Sequence, residues 1–138
     1  MRLPAALRDA LIAARDAERD QIAFYRALAI EAERAGQEGV AERVNGLLAD
    51  EQHHYSRLVA RLMETEGLMG GGVPATLLRD IGWTGWEERA RARERGEIER
   101  YVSLLTFEMD AATRTMLEAF LDAERRHERE LGGKWMGA

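Results

Sequence analysis

The sequence predicts an all-α protein: four long helices packed as two antiparallel hairpins joined by a long crossover. Three observations lead there. Alanine, leucine, glutamate and arginine are abundant, a helix-forming mixture. The only prolines are Pro4 and Pro74, so long stretches are free of helix breakers. Apolar residues recur at three- and four-residue spacing through four segments, each bounded by glycine or a capping residue.

The first helix is expected from about Pro4 to Ala35, with Leu7, Leu11, Ala14, Ile22, Tyr25 and Ala29 on one stripe and Gly36 as its stop. The second runs from about Gln37 to Glu66, with Val40, Val44, Leu47, Leu58 and Leu62 inward, and ends at Gly67 and the Gly70-Gly71-Gly72 run. Thr84 and Glu87 have capping-box spacing, so the third is expected to start after Thr84 and continue to about Met109. Asp110 is a good N-cap for the fourth, which runs to about Leu131 before Gly132-Gly133. Short turns at Gly36 and Asp110 make each pair an antiparallel hairpin. The link at 67–85 is much longer and carries Leu77, Leu78, Ile81 and Trp83, which with Trp86 are expected to pack the crossover.

A chain of 138 residues fits a single domain, here with its core at 7–131 and a flexible tail at 132–138. With 46% hydrophobic and 33% charged residues it has both a core and a long solvated surface. Cysteine is absent, which excludes disulfides, zinc–thiolate sites, iron–sulfur clusters and thiol catalysis. A net charge of −5 argues against a nucleic-acid groove. Met1 to Leu11 lacks the apolar run of a secretory signal, and no stretch approaches a membrane span. The expectation is therefore a cytoplasmic protein with no membrane or nucleic-acid partner.

The chain contains an internal repeat. Glu18, Ile22, Tyr25 and Leu28 match Glu94, Ile98, Tyr101 and Leu104 in spacing, and Glu51-x-x-His54 matches Glu124-x-x-His127. Each of these glutamates interrupts an apolar stripe: Glu18 lies four before Ile22, Glu51 four after Leu47, Glu94 four after Ala90 and Glu124 four after Phe120. His54 and His127 share those faces one turn on, whereas His53 is expected to face solvent. Glu18 and Glu51 lie about 18 and 15 residues from Gly36, and Glu94 and Glu124 about 16 and 14 from Asp110. At about 1.5 Å per residue, each hairpin brings its glutamates to a similar height.

Burying an unpaired carboxylate costs several kcal/mol even after relaxation, and four at one level repel one another. Cations are the natural compensation. Oxygen and imidazole ligands without sulfur suit iron or manganese, with zinc also compatible, and two Glu plus two Glu-x-x-His form the di-iron carboxylate ligand set of helix bundles. Two metal ions per chain are expected, with Glu51 and Glu124 as bridges. Glu18 with His54 and Glu94 with His127 are expected to complete the two positions, a pairing that spacing alone leaves open. Tyr25 and Tyr101, two turns after Glu18 and Glu94, are placed to hydrogen-bond a ligand carboxylate.

With these residues, Glu18, Glu51-x-x-His54, Glu94-x-x-Glu97 and Glu124-x-x-His127, the chain resembles the rubrerythrin branch of the ferritin-like superfamily over about Leu7 to Leu131. Glu97 carries most of the distinction, because rubrerythrins have an extra glutamate one turn after the third-helix ligand. Its repeat mate is Gln21, so the site is asymmetric. The resemblance implies a ferritin-like bundle holding two iron ions, a manganese or mixed pair being compatible with the same donors. It implies reduction of hydrogen peroxide or dioxygen as Fe(II) is oxidised, Glu97 exchanging with His54 on one iron, and a homodimer or larger assembly. Rubrerythrins also carry a cysteine-ligated rubredoxin domain. Without cysteine this chain needs an external electron donor. The alternatives are an iron-storage ferroxidase within a larger assembly, and a metal-free helical interaction module that leaves its buried carboxylates uncompensated.

Overall fold

The computed structural model describes residues 2–70 and 77–132. These contain four helices and no strand: α1 (Ala5–Arg34), α2 (Glu38–Glu66), α3 (Trp86–Leu104) and α4 (Ala111–Leu131). Helix α1 stops where Gly36 takes φ 73°, a left-handed conformation that glycine adopts without strain. The Gln37 N–H then turns back to the Ala32 carbonyl at 2.8 Å. Gly67 ends α2 in the same way, with φ 69° and its N–H on the Met63 carbonyl. Asp110 caps α4, its side chain accepting from the Thr113 N–H at 3.1 Å.

Helix α3 starts just after Thr84 as expected but differs in its cap and in its end. Thr84 makes no side-chain cap, and the N-cap is Gly85 at φ 68°. Glu87 is drawn outward to Arg43 of α2 at 2.8 Å, which removes it from a capping box. The helix also ends at Leu104, short of Met109. Residues 105–110 form the turn instead, and the Arg114 guanidinium donates to the Leu105 and Phe107 carbonyls that helix termination leaves open.

The apolar stripes meet in two clusters. One gathers Leu7, Leu11, Ala14, Leu58, Leu62, Tyr101, Leu104, Leu117 and Phe120. The other gathers Phe24, Tyr25, Leu28, Val44, Leu47, Trp86, Ala90 and Leu131. On every helix the passage from one cluster to the other crosses a fully buried glutamate: Glu18, Glu51, Glu94 or Glu124. The polar layer therefore lies between two apolar caps. Leu68, just after α2, packs on the first cluster, and Leu78, Ile81 and Trp83, just before α3, pack on the second. Trp86 is itself buried within the chain. Leu77 is exposed. Pro74, Gly71, Gly72 and the tail from Gly133 lie outside the described residues. No helix among the described residues is long and apolar enough to cross a membrane.

Candidate metal centre

The four buried glutamates and two histidines converge between the apolar clusters in two groups. Glu18, Glu51, His54 and Glu124 each bring a ligand atom within 4.8 Å of the others, and so do Glu51, Glu94, Glu124 and His127. Glu51 and Glu124 are common to both. Each group thus has three carboxylates and one imidazole. His54 Nδ1 lies 3.3 Å from Glu18, 3.4 Å from Glu51 and 3.7 Å from Glu124. His127 Nδ1 lies 3.3 Å from Glu124, 3.5 Å from Glu94 and 4.0 Å from Glu51.

The tyrosines act across the hairpins, not along their own helices. Tyr25 of α1 donates to Glu94 of α3 at 2.6 Å, and Tyr101 of α3 donates to Glu18 of α1. Each phenol fixes one oxygen of its carboxylate and leaves the other, Glu94 Oε2 or Glu18 Oε1, buried with no hydrogen bond. Burial and the adjacent carboxylates, Glu94 for Tyr25 and Glu18 for Tyr101, push both phenols well above their ordinary range. They therefore remain donors at neutral pH.

Two further contacts were not legible from spacing. Asp50 of α2 lies 2.7 Å from His127 Nε2. Gln21, fully enclosed, reaches Glu94 with its amide nitrogen at 3.4 Å while its oxygen accepts from Arg93 at 2.7 Å. Gln21 is the repeat mate of Glu97, but spacing does not reveal its contact with Glu94. Nothing in the sequence marks Asp50, which is a half-exposed acid on the flank of α2. His53 is exposed.

Glu97 is buried beside the layer but belongs to neither group of four. Burial, with Glu18 and Glu124 nearby, raises its carboxyl to about 9. Burial also raises Glu51 well above the carboxylate range, with Glu18, Glu124 and Glu94 adding to the effect. It lifts Glu124 to about 7. For His127 burial opposes protonation, but hydrogen bonding and charge from Glu124 and Glu94 prevail and hold it up to about 11. These directions share one origin: too much negative charge in too little solvent, which protons relieve when nothing else does.

A divalent cation is the other way to relieve it, and the donor set fits one. Glu18 Oε1, both oxygens of Glu51, His54 Nδ1, Glu94 Oε2, both oxygens of Glu124 and His127 Nδ1 are buried without a well-formed hydrogen bond in the protein. Buried polar atoms are nearly always partnered. Eight orphaned atoms at the facing positions of one layer, all hard oxygen or imidazole donors, can hold metal. No family model matches the chain, and no curated protein matches it.

Proposed function

We propose that the chain is a di-iron carboxylate oxidoreductase of the rubrerythrin-like kind, built on a ferritin-like bundle, that reduces hydrogen peroxide or dioxygen. The observation that carries this reading is the set of eight orphaned ligand atoms in two groups sharing Glu51 and Glu124. Two Glu and two Glu-x-x-His across four helices are the ligands that di-iron carboxylate bundles use. The ferritin-like arrangement is supported by helix direction. Arg43 near the start of α2 pairs with Glu87 near the start of α3, so both helices begin at one end. Leu68, just after α2, packs on one cluster and Trp83, just before α3, on the other, which supports a crossover from one end of the bundle to the other.

When bound, two ferrous ions supply the two electrons that, with two protons, turn hydrogen peroxide into two waters or dioxygen into hydrogen peroxide. The chain's own residues prepare the rest. Glu18, Glu51, His54 and Glu124 would hold one ion, and Glu51, Glu94, Glu124 and His127 the other. Tyr25 and Tyr101 keep Glu94 and Glu18 oriented. The Glu97 carboxyl lies buried beside the layer, and burial with Glu18 and Glu124 nearby raises it in the metal-free chain, so it is placed to release a proton to the site as metal offsets that charge. Once deprotonated it is also a spare carboxylate, available for the exchange with His54 that the rubrerythrin resemblance implies. The apolar clusters above and below close the layer along the bundle axis.

The test is anaerobic loading with Fe(II), elemental analysis, then stopped-flow mixing with peroxide or dioxygen. The expected result is two irons per chain, oxidised faster than free Fe(II) at equal concentration. No bound iron after reconstitution would end the reading. Bound iron inert to both oxidants would leave a metal site and remove the oxidoreductase.

A further inference from the structure

The two groups are matched in ligand type, yet their surroundings differ. His127 presents Nδ1 to the glutamates and Nε2 to Asp50 at 2.7 Å. That contact fixes the ring: with the proton on Nε2 donated to Asp50, Nδ1 carries the lone pair that a metal takes. The internal repeat relates α2 to α4 by a constant offset, Glu51 to Glu124 and His54 to His127. The same offset relates Asp50 to Ala123. The residue that would support His54 as Asp50 supports His127 is therefore an alanine.

Ala123 and His54 line the same groove between α2 and α4, an opening of about 660 Å³ with Ala119, Thr115 and Phe120 also on its walls. The Phe120 ring lies 4.2 Å from that of His54. An aromatic face holds a ring in place but accepts no strong hydrogen bond and does not select a tautomer.

We propose that the two metal positions are unequal: Asp50 is a positioning residue that makes the His127 position the tighter and first filled. The His54 position, with Ala123 where an acid would stand, is the weaker, second filled and open to exchange through the α2–α4 groove. This rests on the metal-site reading above and adds the order of loading. A carboxylate partner on a ligating histidine is worth about 10- to 100-fold in metal affinity, so the two steps are separable in a titration.

The experiment is anaerobic calorimetric titration of the metal-free full chain with Co(II), followed also by the cobalt visible absorption. Wild type gives two resolved steps. Asp50→Ala weakens the tighter step about 10- to 100-fold and leaves the weaker one in place. Asp50→Asn, which keeps an acceptor, recovers part of the loss. Combining Asp50→Ala with His127→Ala costs no more in affinity than His127→Ala alone, because Asp50 acts through that ring. Ala123→Asp tightens the weaker step. Arg126→Ala, which removes the cation 3.7 Å from Asp50, leaves the tighter step unchanged. Unaltered far-UV dichroism of the metal-free variants excludes a folding effect. Asp50→Ala affecting both steps equally, or neither, would overturn the asymmetry while leaving the metal site intact. Wild type binding no Co(II) would overturn the metal site itself, and the asymmetry with it.

Discussion

At the scale of single residues, Glu51 and Glu124 differ from the other candidate ligands because both belong to both groups. Glu51→Ala or Glu124→Ala is expected to abolish binding of both ions, whereas Glu18→Ala or Glu94→Ala leaves one. Metal content by elemental analysis separates the cases, and a Glu51→Ala protein that still holds two ions would rule out bridging. His53→Ala is expected to change neither count nor oxidation rate, since that ring is exposed. These glutamates could be read from sequence because a charge on an apolar stripe conflicts with its position, and the conflict recurs four times. Asp50 produces no such conflict. It sits on a flank where an acid is ordinary, and its partner is on another helix. The tyrosines were legible as partners of ligand carboxylates, but spacing along one helix does not reveal that Tyr25 serves Glu94 and Tyr101 serves Glu18.

At the scale of elements, stops and starts were readable where local chemistry decides them. Gly36 and Gly67 end helices because each takes a positive φ, and Asp110 caps because its side chain reaches Thr113. The end of α3 was not readable. Its sequence remains helix-compatible to Met109, but Phe107 and Met109 pack against the cluster from a turn, and Arg114 satisfies the exposed carbonyls from the next helix. Thr84 likewise loses its partner because Glu87 pairs with Arg43. Tertiary contacts of this kind override local preference. Asp110 also holds Arg61 at 2.6 Å, so one side chain caps α4 and ties it to α2. Asp110→Ala is expected to cost about 1–2 kcal/mol, lowering the melting temperature by about 3–6 °C. Both metals should still bind, because the cap is remote from the polar layer. Thermal denaturation with a parallel metal count checks this, and lost metal without lost stability would contradict it.

At the scale of the whole molecule, the bundle is organised around a layer that is unfavourable without compensation, and the form of compensation sets the pH dependence. In the metal-free protein the raised groups all pull one way. Glu97, ordinarily near 4.5, is held at about 9. Glu124 is held at about 7. Between 4.5 and those values the folded chain keeps protons that the unfolded chain releases, so stability falls as pH rises. His127, raised from 6.5 to about 11, keeps its proton when folded and loses that contribution as pH climbs through this window. The metal-free protein should therefore melt at progressively lower temperature from pH 5.5 to 9. Below that range Asp110 and Glu128, both held below their ordinary values by hydrogen bonds and arginines despite some burial, lose their contribution on protonation, so stability should decline again in acid. Metal reverses the first trend. Ligation needs ionised carboxylates and a free imidazole nitrogen, so binding releases protons and strengthens as pH rises. Melting curves across pH 5.5 to 9, with chelator and with two equivalents of metal, should diverge with increasing pH, the loaded protein gaining on the metal-free one. Parallel curves would mean that protons and metal do not compete for the same buried atoms. They would then place the excess charge somewhere other than the layer formed by Glu18, Glu51, Glu94 and Glu124.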